Sequence, residues 1–197
     1  TPDYIGNISP YIMDEVFSKI EGGGRNANDY SVGYMWGTTG LLYNPKYVSD
    51  EDVRTWEVLR NPEYAGKILV KDAFRDVYTS LLISFYIEQV EAGQKDLQTI
   101  GFDASEESIA KVEEYLNSFK DNVAGWEADF GKDQMTKELA WLNLSWSGDA
   151  QWAIDEAAEI GLELKYAIPE TGSSVWFDGW VIPKYAKNIK AASYFIN

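Results

Sequence analysis

Three stretches of this sequence set a carboxylate beside an aromatic ring. KILVKDAFRD carries Asp72 and Asp76 with Phe74 between them. LSWSGDAQW carries Trp146 and Asp149, and SVWFDGW carries Trp176 and Asp178. A carboxylate accepts charge-assisted hydrogen bonds, and an indole face attracts a cation or covers an apolar stem. The pattern suits recognition of an organic cation better than bond-breaking. Histidine and cysteine are both absent. That removes Ser-His-Asp and Cys-His catalysis, thiolate metal sites and disulfides, and no cofactor is expected.

Each residue also has a plainer reading. Asp76 and Asp149 near helix starts favour the helix dipole. Trp146 and Trp176 are the kind of residue that packs into a core. On a strand, Trp176 and Asp178 share a face because the side-chain period is two, and a buried carboxylate there needs a partner. A ligand cation would serve, and so would Arg75. Taken together, acids and rings match a flexible diamine or polyamine. Carboxylates hold its ammonium groups and rings line its methylene stem, each well-placed ring adding ~0.5–2 kcal/mol of cation–π attraction. Two separated acid clusters would measure ligand length.

The charge agrees. Asp and Glu number 32 against 17 Lys and Arg, a formal net charge of -15. Such a field repels nucleic acid and draws cations inward, although it also serves plain solubility. With 45% hydrophobic and 15% aromatic residues, the 197-residue chain has ample material for a core. It has no apolar run long enough to span a membrane.

These residues must be placed by alternating strands and helices. Strands are expected at 30–43, 67–71, 122–126, 140–146, 162–168 and 175–182. A helix capped by Ser49 should bury Trp56, Val58 and Leu59. Further helices are expected at 77–91, 105–119, 133–139, 148–160 and 188–196, the second of these burying Ile109, Val112, Tyr115 and Leu116. A short amphipathic stretch, 7–20, precedes a break at Gly22-Gly23-Gly24 and a polar loop at 25–29. The alternation predicts an α/β fold with a mixed, mostly parallel sheet flanked by helices, and ligands bind such sheets at the carboxyl ends of strands.

Four stretches in order carry a resemblance: YSVGYMWGTTGLLYN, NPEYAGKILVKDAFRDV, LSWSGDA and SVWFDGWVIPKYAKN. Across essentially the whole chain they resemble the bacterial spermidine/putrescine-binding proteins, capture subunits of ABC importers. The resemblance implies a periplasmic-binding-protein-like lobe. Residues about 38–177 would form the second, inserted lobe, and 1–37 with 178–197 the crossing strands and pieces of the first. The chain would then be a fragment lacking most of the first lobe. Its expected partners are a polyamine, the permease subunits and that missing lobe, with no nucleic acid. Its expected place is outside the cytoplasm, in a periplasm or held at the membrane as a lipoprotein.

By the same resemblance, Asp76 and Asp178 pair with ligand amines, Trp146 lies along the alkyl stem and Trp176 forms a wall. Asp149 matches an acid of putrescine-preferring members. Ala73 stands where some members carry a further Asp, for which Asp72 is the neighbouring candidate. Gly179-Trp180 follows the last acid where members usually have a less bulky pair. Three other readings compete: a carbohydrate-capturing protein using the same Trp platforms, a carboxylate-only glycosidase and a purely structural acidic domain.

Overall fold

The computed structural model describes residues 6–22 and 24–196. Gly23 of the expected glycine break lies outside them. In chain order the strands and helices are β1 Glu21–Gly22, β2 Arg25–Asn26, β3 Val32–Tyr43, β4 Ile68–Lys71, α1 Phe74–Glu91, α2 Leu97–Ile100 and α3 Glu106–Phe119. There follow β5 Val123–Glu127, α4 Gly131–Thr136, β6 Leu142–Trp146, α5 Ser147–Glu159, β7 Lys165–Ala167, β8 Val175–Trp180 and α6 Ile189–Ile196. The chain divides into two units, one of residues 37–175 and one of 1–36 with 176–197.

The larger unit is built on strands in the order β5-β4-β6-β3-β7. β4 lies parallel to β5 and β6, whereas β3 runs antiparallel to β6 and β7. The sheet is mixed as expected, with its parallel part confined to β5-β4-β6. Strand alternation divides its side chains between two cores. Leu41, Ile68, Val70, Leu142 and Leu144 join Val77, Leu81 and Leu82 of α1 and Val112 and Phe119 of α3. Leu42 and Leu69 face Met135 of α4 and Ala150, Ala153 and Ala157 of α5. Those alanines let the helix backbone approach the sheet closely.

Two local expectations change. The helix foreseen after Ser49 is a series of 3-10 turns, Asp52–Arg54, Trp56–Arg60 and Pro62–Tyr64. Extended Thr55 and Asn61 interrupt it, and Trp56 is anchored by its indole N–H donating to Gly172 O at 3.0 Å. Trp56, Val58 and Leu59 are nevertheless buried. On α3 the buried stripe runs through Ser108, Val112, Tyr115 and Phe119. Ile109 is one helical step off that stripe and 45% exposed. Ser105 caps α3, accepting from Ser108 N at 3.3 Å.

In the smaller unit β1 pairs antiparallel with β2, so the expected polar loop begins as a short strand. A 3-10 turn follows, closed by reciprocal hydrogen bonds between Asn26 and Asp29. Strand β8 pairs with β3. Aromatic residues of the two strands pack together: Trp36 stacks on Phe177 at 6.3 Å, and Tyr34 meets Trp180 at 4.6 Å. Trp180 in turn takes the edge of Phe195 from α6. A Cβ on Gly179 would stand 3.0 Å from Ser31 and 3.1 Å from Phe17. The bulky Gly-Trp pair therefore fits because its first member has no side chain.

Candidate functional site

The carboxyl ends of β4 and β6 bring together residues 70 or more positions apart in sequence. β4 ends at Lys71, and α1 begins three residues later, so Asp76 falls in its first turn. Nothing caps this helix by side chain, and the acid sits where the dipole favours it. Asp76 is half-buried. Its Oδ2 accepts the indole N–H of Trp146 at 2.7 Å. Trp146 is the last residue of β6 and the N-cap of α5, so the ring is held where strand turns into helix. Asp76 Oδ1 has no hydrogen-bond partner among the described residues and remains able to accept.

One turn along α1, buried Ser80 ties the helix to the sheet. Its hydroxyl pairs with Ser174 Oγ at 2.9 Å, and Ser174 Oγ donates to Thr39 Oγ1 at 3.0 Å. This hydroxyl chain fixes the rotation of α1 and hence the direction of Asp76. Asp72 is exposed, and its backbone N–H donates to Glu127 O at 2.7 Å. Its carboxylate forms no ion pair among the described residues. Ala73 is the N-cap residue of α1 and brings no acid.

Asp149 lies in the first turn of α5 and is claimed from within the protein. Its Oδ2 accepts from Lys71 Nζ at 2.7 Å and its Oδ1 from Lys132 Nζ at 3.1 Å. Lys71 has a side-chain exposure of 1% and also donates to Glu127 Oε1 at 3.0 Å and Ala128 O at 2.8 Å. All three of its protons are thus used. The same ammonium lies 4.2 Å from the centre of the Trp146 ring. Glu127, also 1% exposed, takes Asn143 Nδ2 at 3.2 Å and Gly131 N–H at 3.1 Å. Two carboxylates and two ammonium groups make a neutral cluster beneath the indole. A buried charge is tolerable only when paired in this way.

The composition offered no hint of the partners of Asp149, but the strand pattern did. Lys71 is in phase with buried Leu69, and Asn143 is in phase with neither Leu142 nor Leu144, so both point to the α4–α5 face. A lysine on a buried phase of an apolar strand requires acids nearby. Which acids it finds depends on the parallel pairing of β4 with β5, which sets Lys71 opposite Glu127.

Trp176 and Asp178 belong to the smaller unit and lie two apart on β8. Trp176 is half-buried, and its indole N–H is buried without a hydrogen-bond partner among the described residues. Asp178 is exposed and has no ion pair among them. The smaller unit also contains a cavity of about 390 Å³ bordered by Ile12, Phe17, Tyr34, Trp36, Phe177 and Trp180. Asn7 and Ser9 also border it, and no acid does among the described residues. Among the described residues no group of three or more potential metal ligands occurs, and no helix is long and apolar enough to cross a membrane.

Comparison with known proteins gives this geometry a context. Residues 8–197 match the family described as bacterial extracellular solute-binding proteins. The chain is 28% identical over 194 residues to the spermidine/putrescine-binding periplasmic protein of Escherichia coli (strain K12), covering 97% of this chain and 48% of that protein. It is 26% identical over 182 residues to the putrescine-binding periplasmic protein SpuD of Pseudomonas aeruginosa, covering 86% of this chain and 46% of SpuD. Among solved structures, the spermidine/putrescine ABC transporter substrate-binding protein PotD of Streptococcus pneumoniae superposes with a TM-score of 0.68 at 28% identity. That superposition covers 100% of this chain and 55% of PotD. The chain spans about half the length of the curated relatives it matches.

Proposed function

We propose, from the premise that the chain belongs to the family of bacterial extracellular solute-binding proteins, that it captures small polyamines outside the cytoplasm for uptake through an ABC importer. The family is one of binding proteins and not of enzymes. Relatives named for spermidine and putrescine support the ligand class. The observation that carries the reading is the Asp76–Trp146 pair: one carboxylate oxygen is held by the indole while the other stays available. An ammonium group would dock on Asp76, and the adjoining methylenes would lie along Trp146.

In this reading the unit 37–175 is one lobe and holds Asp76 and Trp146. Asp178 and Trp176 on β8 are kept as candidate amine and wall contacts on the family resemblance alone. Exposed Asp72 adds to the negative field at the entrance. Sequence beyond this chain would supply the remainder of the other lobe and its share of the contacts. Permease subunits would take the ligand onward.

Carbohydrate capture would use the same rings, but it gives no reason for a surface of net charge -15. The two readings separate in one calorimetric experiment. The full-length protein is titrated with putrescine, cadaverine, spermidine and spermine, and with neutral oligosaccharides, at low and moderate salt. Polyamine binding should weaken as salt rises, because exposed charge pairs are screened. Absence of polyamine binding, or salt-insensitive binding of a sugar, would overturn the proposal.

A further inference from the structure

Asp149 has the residue type and neighbourhood of a ligand carboxylate, yet both of its oxygens already bind lysine. The two lysines differ in kind. Lys71 reaches Asp149 from the interior, with every proton engaged and a side-chain exposure of 1%. It is part of the fold. Lys132 comes from α4 with a side-chain exposure of 26%; among the described residues its one hydrogen bond is to Asp149 Oδ1, and its ammonium lies 5.6 Å from the ring centre of Trp152. It stands at the rim of the cluster, where a solvent-borne amine would otherwise meet Asp149.

We infer that Lys132 is a specificity-determining residue: a resident ammonium that occupies Asp149 and so sets the site for ligands with two positive charges in preference to three. The inference rests on the polyamine reading above. Two effects act together. Asp149 is withdrawn from the carboxylates that a ligand can use, leaving Asp76 as the half-buried acceptor of this unit. The charge of Lys132 then repels any further ligand ammonium that approaches the same place. Lys71 adds to this from below. Its ammonium already engages the Trp146 ring at 4.2 Å, so the ring is better matched to a methylene stem than to a second cation.

The test compares putrescine with spermidine by calorimetry on the full-length protein, its Lys132→Met and Lys132→Arg variants, and Lys132→Met combined with Asp149→Asn. Lys132→Met frees Asp149 Oδ1 while keeping the apolar stem. It should raise the spermidine-to-putrescine affinity ratio about tenfold, the scale of one added ammonium–carboxylate bond. Lys132→Arg should retain the original ratio. Adding Asp149→Asn to Lys132→Met should return the ratio toward the original, which identifies Asp149 as the acceptor. Thermal melts confirm that each variant is folded, and Lys132→Gln replaces Lys132→Met should the latter not fold. An unchanged ratio in folded Lys132→Met would overturn the inference while leaving polyamine capture intact. So would loss of putrescine binding in folded Asp149→Asn alone, because Asp149 would then touch the ligand in the native protein. If the unaltered protein binds neither amine, the functional reading itself falls, and this inference with it.

Discussion

The indole N–H of Trp146 donates to the carboxylate of Asp76 across 2.7 Å, joining the end of β6 to the first turn of α1. The bond fixes both groups relative to each other, and under the proposed function it would do so before a ligand arrives. Asp76→Asn keeps an acceptor for the indole but removes the charge. Loss of one charge-assisted hydrogen bond of about 1.5–3 kcal/mol should lower diamine affinity by roughly tenfold or more. Trp146→Phe keeps a ring but frees Asp76 to rotate, and should cost less. Calorimetry with putrescine reads both, and equal losses in the two variants would mean that the ring N–H, not the charge, dominates.

Lys71 is expected to matter for the fold more than any other charged residue. Lys71→Met leaves Glu127 and Asp149 without their shared ammonium, Glu127 being 1% exposed. Breaking a buried ion pair from one side costs about 3–5 kcal/mol. Urea denaturation should show a loss of that order. Lys71→Met combined with Glu127→Gln should recover part of it, since the stranded buried charge is then removed.

Gly131 opens α4 at a place with no room for a side chain. A Cβ there would stand 2.5 Å from Asn143 Nδ2 and 2.5 Å from the Glu127 carboxyl carbon. In an ordinary helix, alanine improves on glycine. Here Gly131→Ala should instead destabilise by about 1–3 kcal/mol, because the crowded atoms belong to a buried, fully used network. A rise in melting temperature would contradict the packing described.

Stability should fall at both ends of the pH scale through one pair of residues. The Ser49 hydroxyl and, less strongly, the Tyr64 hydroxyl donate to Asp52 and hold its carboxyl below the ordinary 3.8, against the opposing effect of burial. That contribution is present above 3.8 and is lost as pH falls through the lower folded value. Burial, with the Asp52 hydrogen bond second, pushes Tyr64 up from 10.0 to about 12. Its contribution is complete below 10.0 and is lost as pH rises toward about 12. Urea unfolding across pH should show both limbs. Ser49→Ala should lower stability at neutral pH and make the acid limb shallower, and Tyr64→Phe should flatten the alkaline limb.

Much of this protein could be read from local pattern. Strand 30–43 and the helix capped by Ser105 follow from short-range spacing, so their positions in sequence suffice. The stretch after Ser49 shows the limit of that reasoning. Its cap and buried residues are those of a helix, but the Trp56 indole is held by Gly172, 116 residues away, and the backbone follows that anchor. Ile109 likewise needed a partner element to decide which side of α3 is inside.

For the site, the sequence by itself determined the chemistry: carboxylates and indoles, no histidine, no cysteine, and an excess of negative charge. Tertiary structure decided which acids remain free to act. Asp76 and Asp149 look alike in sequence, each a few residues past the end of a strand. Parallel pairing of β4 with β5 and β6 brings Lys71 and Glu127 beneath Trp146, and Asp149 is drawn into their neutral cluster. Asp76, one helix away, keeps an oxygen open. Burial makes the difference, because a lysine that cannot reach water must take its counter-charge from whichever carboxylates the fold places beside it.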